Sequence, residues 1–187
     1  MKVAVAVLAL ASVAHADSYQ PKKDKELAAK TTCKGAVPAP GTKPAPLVNL
    51  YNEHTHEWLA VDPAHPCTIE TLDLFLRDHY TNKSTTMEPR LLGVLLGAAK
   101  NFKSNVVDIV SGFRHPKFNL MLRKKGHQVA RDSQHTHGNA VDFFIPHVTT
   151  KQLHAWAKAQ KLGGVGLYLE SGFVHMDTGP IRFWSGD

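Results

Sequence analysis

The sequence predicts an α+β fold, a small mixed or antiparallel sheet packed by helices with a metal site on the sheet face. Three observations lead there. Strand-like and helix-like runs both occur but do not alternate regularly, as a doubly wound sheet would require. The C-terminal third ends on two short strand-like runs in succession, GVGLY and GFVHMDT. The chain has 187 residues, enough for one domain with a full core and too few for two comfortable ones.

Residues 1–16, MKVAVAVLALASVAHA, pair one lysine with an apolar run and close on Ala14, His15 and Ala16, a small-x-small cleavage pattern. They read as a secretory signal peptide. That run is too short to span a bilayer, no later segment approaches about 18 apolar residues, and no cysteine follows the cleavage site. An exported protein without transmembrane or lipid anchor is expected. Residues 17–46, with VPAPGTKPAP and almost no large apolar residue, have linker composition, so the domain is placed at 47–187.

Within the domain, LVNLY and WLAV flank the polar NEHTHE and predict a hairpin. Thr68 caps a helix on which Ile69, Leu72, Phe75, Leu76 and His79 keep helical spacing, and Pro89 suits the first turn of a helix through LLGVLLGAA. NVVDIVSGF reads as a buried strand, PKFNLMLRKKG as a short helix closed by Gly126, and NAVDFFI as a strand. Thr149 or Thr150 caps a helix through LHAWAKAQK, ended by Gly163 and Gly164.

The two cysteines, Cys33 and Cys67, both fall in the exported part and are expected to pair; the alternative is two free buried thiols. In the loop-entropy account such a bridge restricts the unfolded chain by about 3–4 kcal/mol. The formal net charge is +6, one less once Lys2 leaves with the signal, which favours anionic partners. Nucleic acid is set aside because Lys and Arg are scattered without interleaved aromatics, whereas carboxylate-rich wall polymers fit an exported chain. A monomer is expected.

The chemistry concentrates in SQHTHGNAVD (133–142) and FVHMDTGPIRFW (173–184). His135, Asp142 and His175 offer two imidazoles and a carboxylate, the donor set of a zinc site that leaves a fourth position to water. Strand alternation turns His175 and Asp177 to the face opposite Val174 and Met176, and turns Asp142 away from Val141 and Phe143. A buried carboxylate without a partner is costly, and one Zn2+ would supply the partner. Gly138 permits the sharp path between His135 and Asp142.

These residues resemble the M15 zinc peptidases, in their exported branch of murein endopeptidases. The family pattern S-x-H-x-x-G-x-A-x-D is met by Ser133, His135, Gly138, Ala140 and Asp142. SGFRHPKFN is similar to the family's S-G-Y-R-x-P-x-x-N, and GGVGLY and FVHMDTGPIRFW follow in the family's order. The resemblance runs from about Leu47 to the end. It implies one zinc bound by His135, Asp142 and His175, and hydrolysis of peptide cross-links in peptidoglycan in a periplasm-like space. It also implies that Arg114 sits at the substrate site, holding a carboxylate or the oxyanion. The rival readings are a carboxypeptidase or dipeptidase that trims stem peptides, and a non-catalytic wall-binding protein with a structural zinc.

One departure from the family concerns the general base. Other M15 branches carry it as an acid three residues before the last ligand or a histidine two before it, positions held here by Gly172 and Phe173. Asp177 stands first in its place, with Glu170 and His137 behind; the alternative role for Asp177 is to orient His175. Ser133 contacts substrate or caps its turn, and Arg182 and Trp184 support the end strand and groove wall. HEWLA resembles the start of a helical H-E-x-x-H motif, but Ala60 replaces the second histidine, so His54, His56 and Glu57 are read as hairpin turn. His115, His127, His147 and His154 are read as loop or helix surface.

Overall fold

The computed structural model describes residues 47–63, 68–127 and 129–186. The signal peptide, the linker and the expected Cys33–Cys67 bridge lie outside the described residues. Seven strands form one sheet in the order β2-β1-β3-β4-β6-β5-β7. They are β1 (Val48–Asn52), β2 (Trp58–Val61), β3 (Val106–Ser111), β4 (Ala140–Phe144), β5 (Gly164–Tyr168), β6 (Phe173–Asp177) and β7 (Arg182–Gly186). β1 with β3 and β5 with β7 run parallel, and the other neighbours antiparallel, so the sheet is mixed and the fold α+β.

Among the described residues four helices accompany it: α1 (Ile69–Phe75), α2 (Arg90–Asn101), α3 (Pro116–Lys124) and α4 (Thr150–Ala159). α2 packs on β3, and α4 on β5 and β6. Period-two alternation sends Leu50, Val107, Ile109, Val141, Phe143, Val174 and Met176 into the core, where they meet Leu91, Leu95 and Ala98 of α2 and Leu153 and Ala157 of α4. Burying each such large side chain contributes about 1.5–3 kcal/mol. The same alternation leaves Asp142, His175 and Asp177 on the other face.

The caps behave as their residue types dictate. Thr68 accepts the amide of Thr71, and Thr149 forms a capping box with Gln152. Pro89 sits at the N-cap of α2, one position ahead of the first turn. Three expectations need correction. α1 ends at Phe75, and His79 lies in the following turn, because Asp78 Oδ1 accepts the amides of Tyr80 at 2.7 Å and Thr81 at 3.1 Å. α4 ends at Ala159 with Lys161 at φ 53°, so Gly163 and Gly164 do not end the helix. They lead into β5, where a side chain at Gly163 would overlap the carbonyl of Asp177. RFWSG, unread as a strand, forms β7 by pairing in parallel with β5.

Asp108 projects from β3 and is 8% exposed. Burial, with the charge of Glu53 beside it, pushes its carboxyl up to about 6. From about pH 3.8 to 6 the folded chain keeps a proton that the unfolded chain has released, so stability falls as pH rises through that window. Asp108→Asn is therefore expected to stabilise the fold by roughly 1–2 kcal/mol at pH 7.5, with the gain fading toward pH 4. Urea melts at both pH values check this, and an equal effect at the two would refute it.

Candidate metal centre

The site starts from sheet register. Ser111, Asp142, His175, Gly166 and Trp184 face one another in a row across β3, β4, β6, β5 and β7. Asp142 and His175 are cross-strand partners on neighbouring antiparallel strands, the shortest lateral spacing a sheet offers. His135 arrives from a short 3-10 turn, Gln134–His137, just before β4. That turn reverses at Gly138, whose φ of 73° is left-handed; an added Cβ there would stand 2.5 Å from the carbonyl of Thr86. Glycine thus lets the chain turn back into β4 with His135 pointing at Asp142.

Hydrogen bonds set the tautomers. His135 Nδ1 lies 2.7 Å from the carbonyl of Gly112, which can only accept, so that nitrogen carries the proton and Nε2 presents a lone pair. His175 Nε2 donates to Asp177 Oδ2 at 2.9 Å and leaves Nδ1 facing the site. The remaining atoms converge: His135 Nε2 to His175 Nδ1 is 3.1 Å, His135 Nε2 to Asp142 Oδ1 3.2 Å, and His175 Nδ1 to Asp142 Oδ1 2.8 Å. A tetrahedral ion with bonds of about 2.0–2.1 Å spaces its ligand atoms about 3.3 Å apart. Three buried electron-pair donors at nearly that spacing can hold one metal ion.

Electrostatics point the same way. Burial works against a charged Asp142, yet the two histidines hold its carboxyl well below the usual carboxylate range. Burial pushes His135 down, so it stays neutral. Burial also opposes charge on His175, but Asp142 and Asp177 overcome it and push the imidazole up to about 9. The site therefore favours one positive charge beside Asp142. A proton on His175 supplies it in the metal-free chain, and a metal ion competes for the same lone pair.

Around this triad lies a cleft of about 350 Å³, lined among others by Arg114, Ser133, Asp132, Tyr168, Phe173 and Trp184. Arg114 donates its amide to the carbonyl of His135 at 3.0 Å, and its guanidinium stands 4.0 Å from Asp142 Oδ2. Ser133 is buried; its carbonyl, not its hydroxyl, closes the 3-10 turn by accepting from Thr136. The Trp184 indole lies over Gly166, where an added Cβ would come within 2.6 Å of the ring, and its Nε1 donates to Tyr168 OH at 3.1 Å. Arg182 stacks on Trp184 with its guanidinium 5.0 Å from the ring centroid.

Asp177 lies behind His175, fully buried and outside the cleft lining. Besides His175 it accepts from Arg182 Nη2 at 2.7 Å and Nη1 at 3.1 Å, and from the amides of Gly164 at 3.0 Å and Gly179 at 2.9 Å. Those bonds offset burial and hold its carboxyl well below the ordinary range. His137 is exposed, with Nε2 2.6 Å from Asp132 Oδ1, and Glu170 is exposed in the turn after β5; neither lines the cleft. Glu57 pairs bidentately with Arg77 at 2.7 Å for each bond, and among the described residues His135, Asp142 and His175 are the group that could hold a metal. Asp132 and Tyr168 were not singled out from sequence. Alternation in GVGLY placed Tyr168 on the face of Gly166, whereas nothing local marked Asp132.

Residues 41–184 match the M15 peptidase family described as peptidoglycan L,D-endopeptidase MepK. The probable peptidoglycan L,D-endopeptidase MepK of Haemophilus influenzae is 34% identical over 123 residues, covering 65% of this chain and 66% of that protein. Peptidoglycan L,D-endopeptidase MepK of Escherichia coli K12 is 39% identical over 119 residues, covering 60% and 63%. The match thus spans just under two thirds of these relatives' length. No solved structure matches. The family match takes in every residue of the triad and of the cleft around it, and the chain belongs to the M15 peptidases, in the family described as peptidoglycan L,D-endopeptidase MepK.

Proposed function

We propose that this chain is an exported zinc metallopeptidase that hydrolyses peptide cross-links of peptidoglycan, the L,D links named for its relatives. The observation that carries the reading is the convergence of His135 Nε2, His175 Nδ1 and an Asp142 oxygen in the lining of an open cleft. Two imidazoles and one carboxylate are a catalytic zinc set. When bound there, zinc would lower the pKa of a water toward about 7 and polarise the scissile carbonyl.

The chain's own groups do the rest. Arg114 and Ser133 both line the cleft, which supports Arg114 as the group that holds a substrate carboxylate or the oxyanion and Ser133 as a substrate contact. Asp177 fixes the tautomer and orientation of His175 and is not the base, since its oxygens are committed to Arg182, His175 and two amides. Of the two carboxylates lining the cleft, Asp142 is a ligand, which leaves Asp132, paired with His137, to receive the proton. Among the described residues no helix is long and apolar enough to cross a membrane. Residues 1–16 as a signal, 17–46 as a linker, a Cys33–Cys67 bridge and a monomer acting in the periplasm complete the proposal.

Digestion of purified murein followed by mass spectrometry tests it. Cross-linked dimers are expected to become monomers, and a chelator to stop the conversion. Release of free terminal amino acids would instead mark a trimming carboxypeptidase, and binding without turnover in zinc-replete buffer would overturn the enzymatic reading.

A further inference from the structure

A cleft of about 350 Å³ encloses only a short piece of a polymer made of sugar and peptide, so the rest must run over the neighbouring surface. Next to Arg114 that surface carries an aromatic ridge built from three separate segments. His54 comes from the β1–β2 turn, His79 and Tyr80 from the turn after α1, and Phe118 from α3. His54 stacks on His79 with centroids 4.0 Å apart. His79 meets Phe118 edge-on at 5.0 Å, and Tyr80 stacks on Phe118 at 5.0 Å. His54, His79 and Tyr80 are exposed, Tyr80 by 52%, so the ridge presents outward ring faces at both ends.

The ridge is held rigid and beside the cleft. Asp78 binds its own turn through the amides of Tyr80 and Thr81, and its second oxygen accepts the amide of His115 at 2.6 Å, one residue from Arg114. Asn52 Oδ1 fixes the turn of His54 by accepting its amide at 3.0 Å. Contiguous exposed aromatic surface on a soluble domain marks an interaction site.

We infer that His54, His79, Tyr80 and Phe118 form a platform for the sugar chain of the substrate, continuous with the Arg114 end of the cleft. The inference rests on the murein reading above. The C–H face of an N-acetylated hexose packs on a flat ring by the same attraction that orders aromatic pairs. Around it, hydroxyl and acetamido groups need donors and acceptors. Burial holds both imidazoles below their ordinary pKa; His79 and His56 add to this for His54, while for His79 Asp78 opposes it and Arg114 adds to it. Neutral histidines each offer one donor and one acceptor. The peptide is the poorer occupant, because its carboxylates are drawn to Arg114 inside the cleft and the ridge presents uncharged rings.

Titration of the zinc-loaded full chain with a tetramer of N-acetylglucosamine, followed by NMR, tests the platform. Ring resonances of His54, His79, Tyr80 and Phe118 are expected to shift. Tyr80→Ala should weaken binding about five- to tenfold, while Tyr80→Phe retains it. Unperturbed rings in the wild-type chain, or equal binding by Tyr80→Ala, would overturn the inference. Murein hydrolysis is read in parallel: cleavage without sugar binding removes the platform alone, whereas sugar binding without cleavage leaves the platform and removes the peptidase reading.

Discussion

Asp142→Ala is expected to lose bound metal and murein hydrolysis together, with turnover falling by about a thousandfold or more. The carboxylate supplies the negative charge of a buried site whose other two donors are neutral imidazoles. Without it His175 also loses the partner 2.8 Å away that sustains its proton in the metal-free chain. The fold should therefore weaken as well, by roughly 1–3 kcal/mol, so activity must be compared at a temperature where both proteins are folded. Metal content by mass spectrometry and muropeptide release are the two readouts. Undiminished hydrolysis by a metal-stripped variant would refute the assignment of Asp142.

Asp177→Asn tests the positioning role proposed for that residue against the role of base. Every group facing Asp177 is a donor: the His175 ring, the Arg182 guanidinium and two amides. An asparagine must turn its own NH2 toward at least one of them, and the ion pair with the half-exposed Arg182 is broken. Stability is expected to drop by roughly 1–3 kcal/mol, and metal affinity by about 10- to 100-fold as His175 loses its anchor. Saturating zinc should then restore most of the turnover. A base would behave in the opposite way, with metal affinity kept and turnover lost at any zinc concentration.

What could be read from sequence followed from local periodicity. In AVDFF and FVHMD the polar residues stand one position from Val141, Phe143, Val174 and Met176, so strand period two turns Asp142, His175 and Asp177 to the face opposite those core residues. Thr68 and Thr149 were legible for a similar reason, since a cap is made within four residues. β7 was not, because RFWSG has little apolar alternation and is held by parallel pairing with β5 and by an indole fitted over Gly166. The end of α1 was hidden too. Asp78 holds the turn after it by accepting the amides of Tyr80 and Thr81, and is itself fixed by His115, 37 residues away. Likewise, sequence left Asp177 between two roles, because the residues that occupy its oxygens come from β5, β6, the turn after β6 and β7.

The ligand row across the sheet has a consequence for the life history of the chain. His135 and His175 are 40 residues apart and meet only through the pairing of β4 with β6. Closing such a long loop is among the slower steps of folding, so a nascent or unfolded chain carries all three donors yet no site. A hydrolase assembled in this way has no centre until β4 and β6 have paired. Any metal held by the three donors is therefore expected to bind only once that pairing is complete, which ties the capacity to cut to the finished sheet.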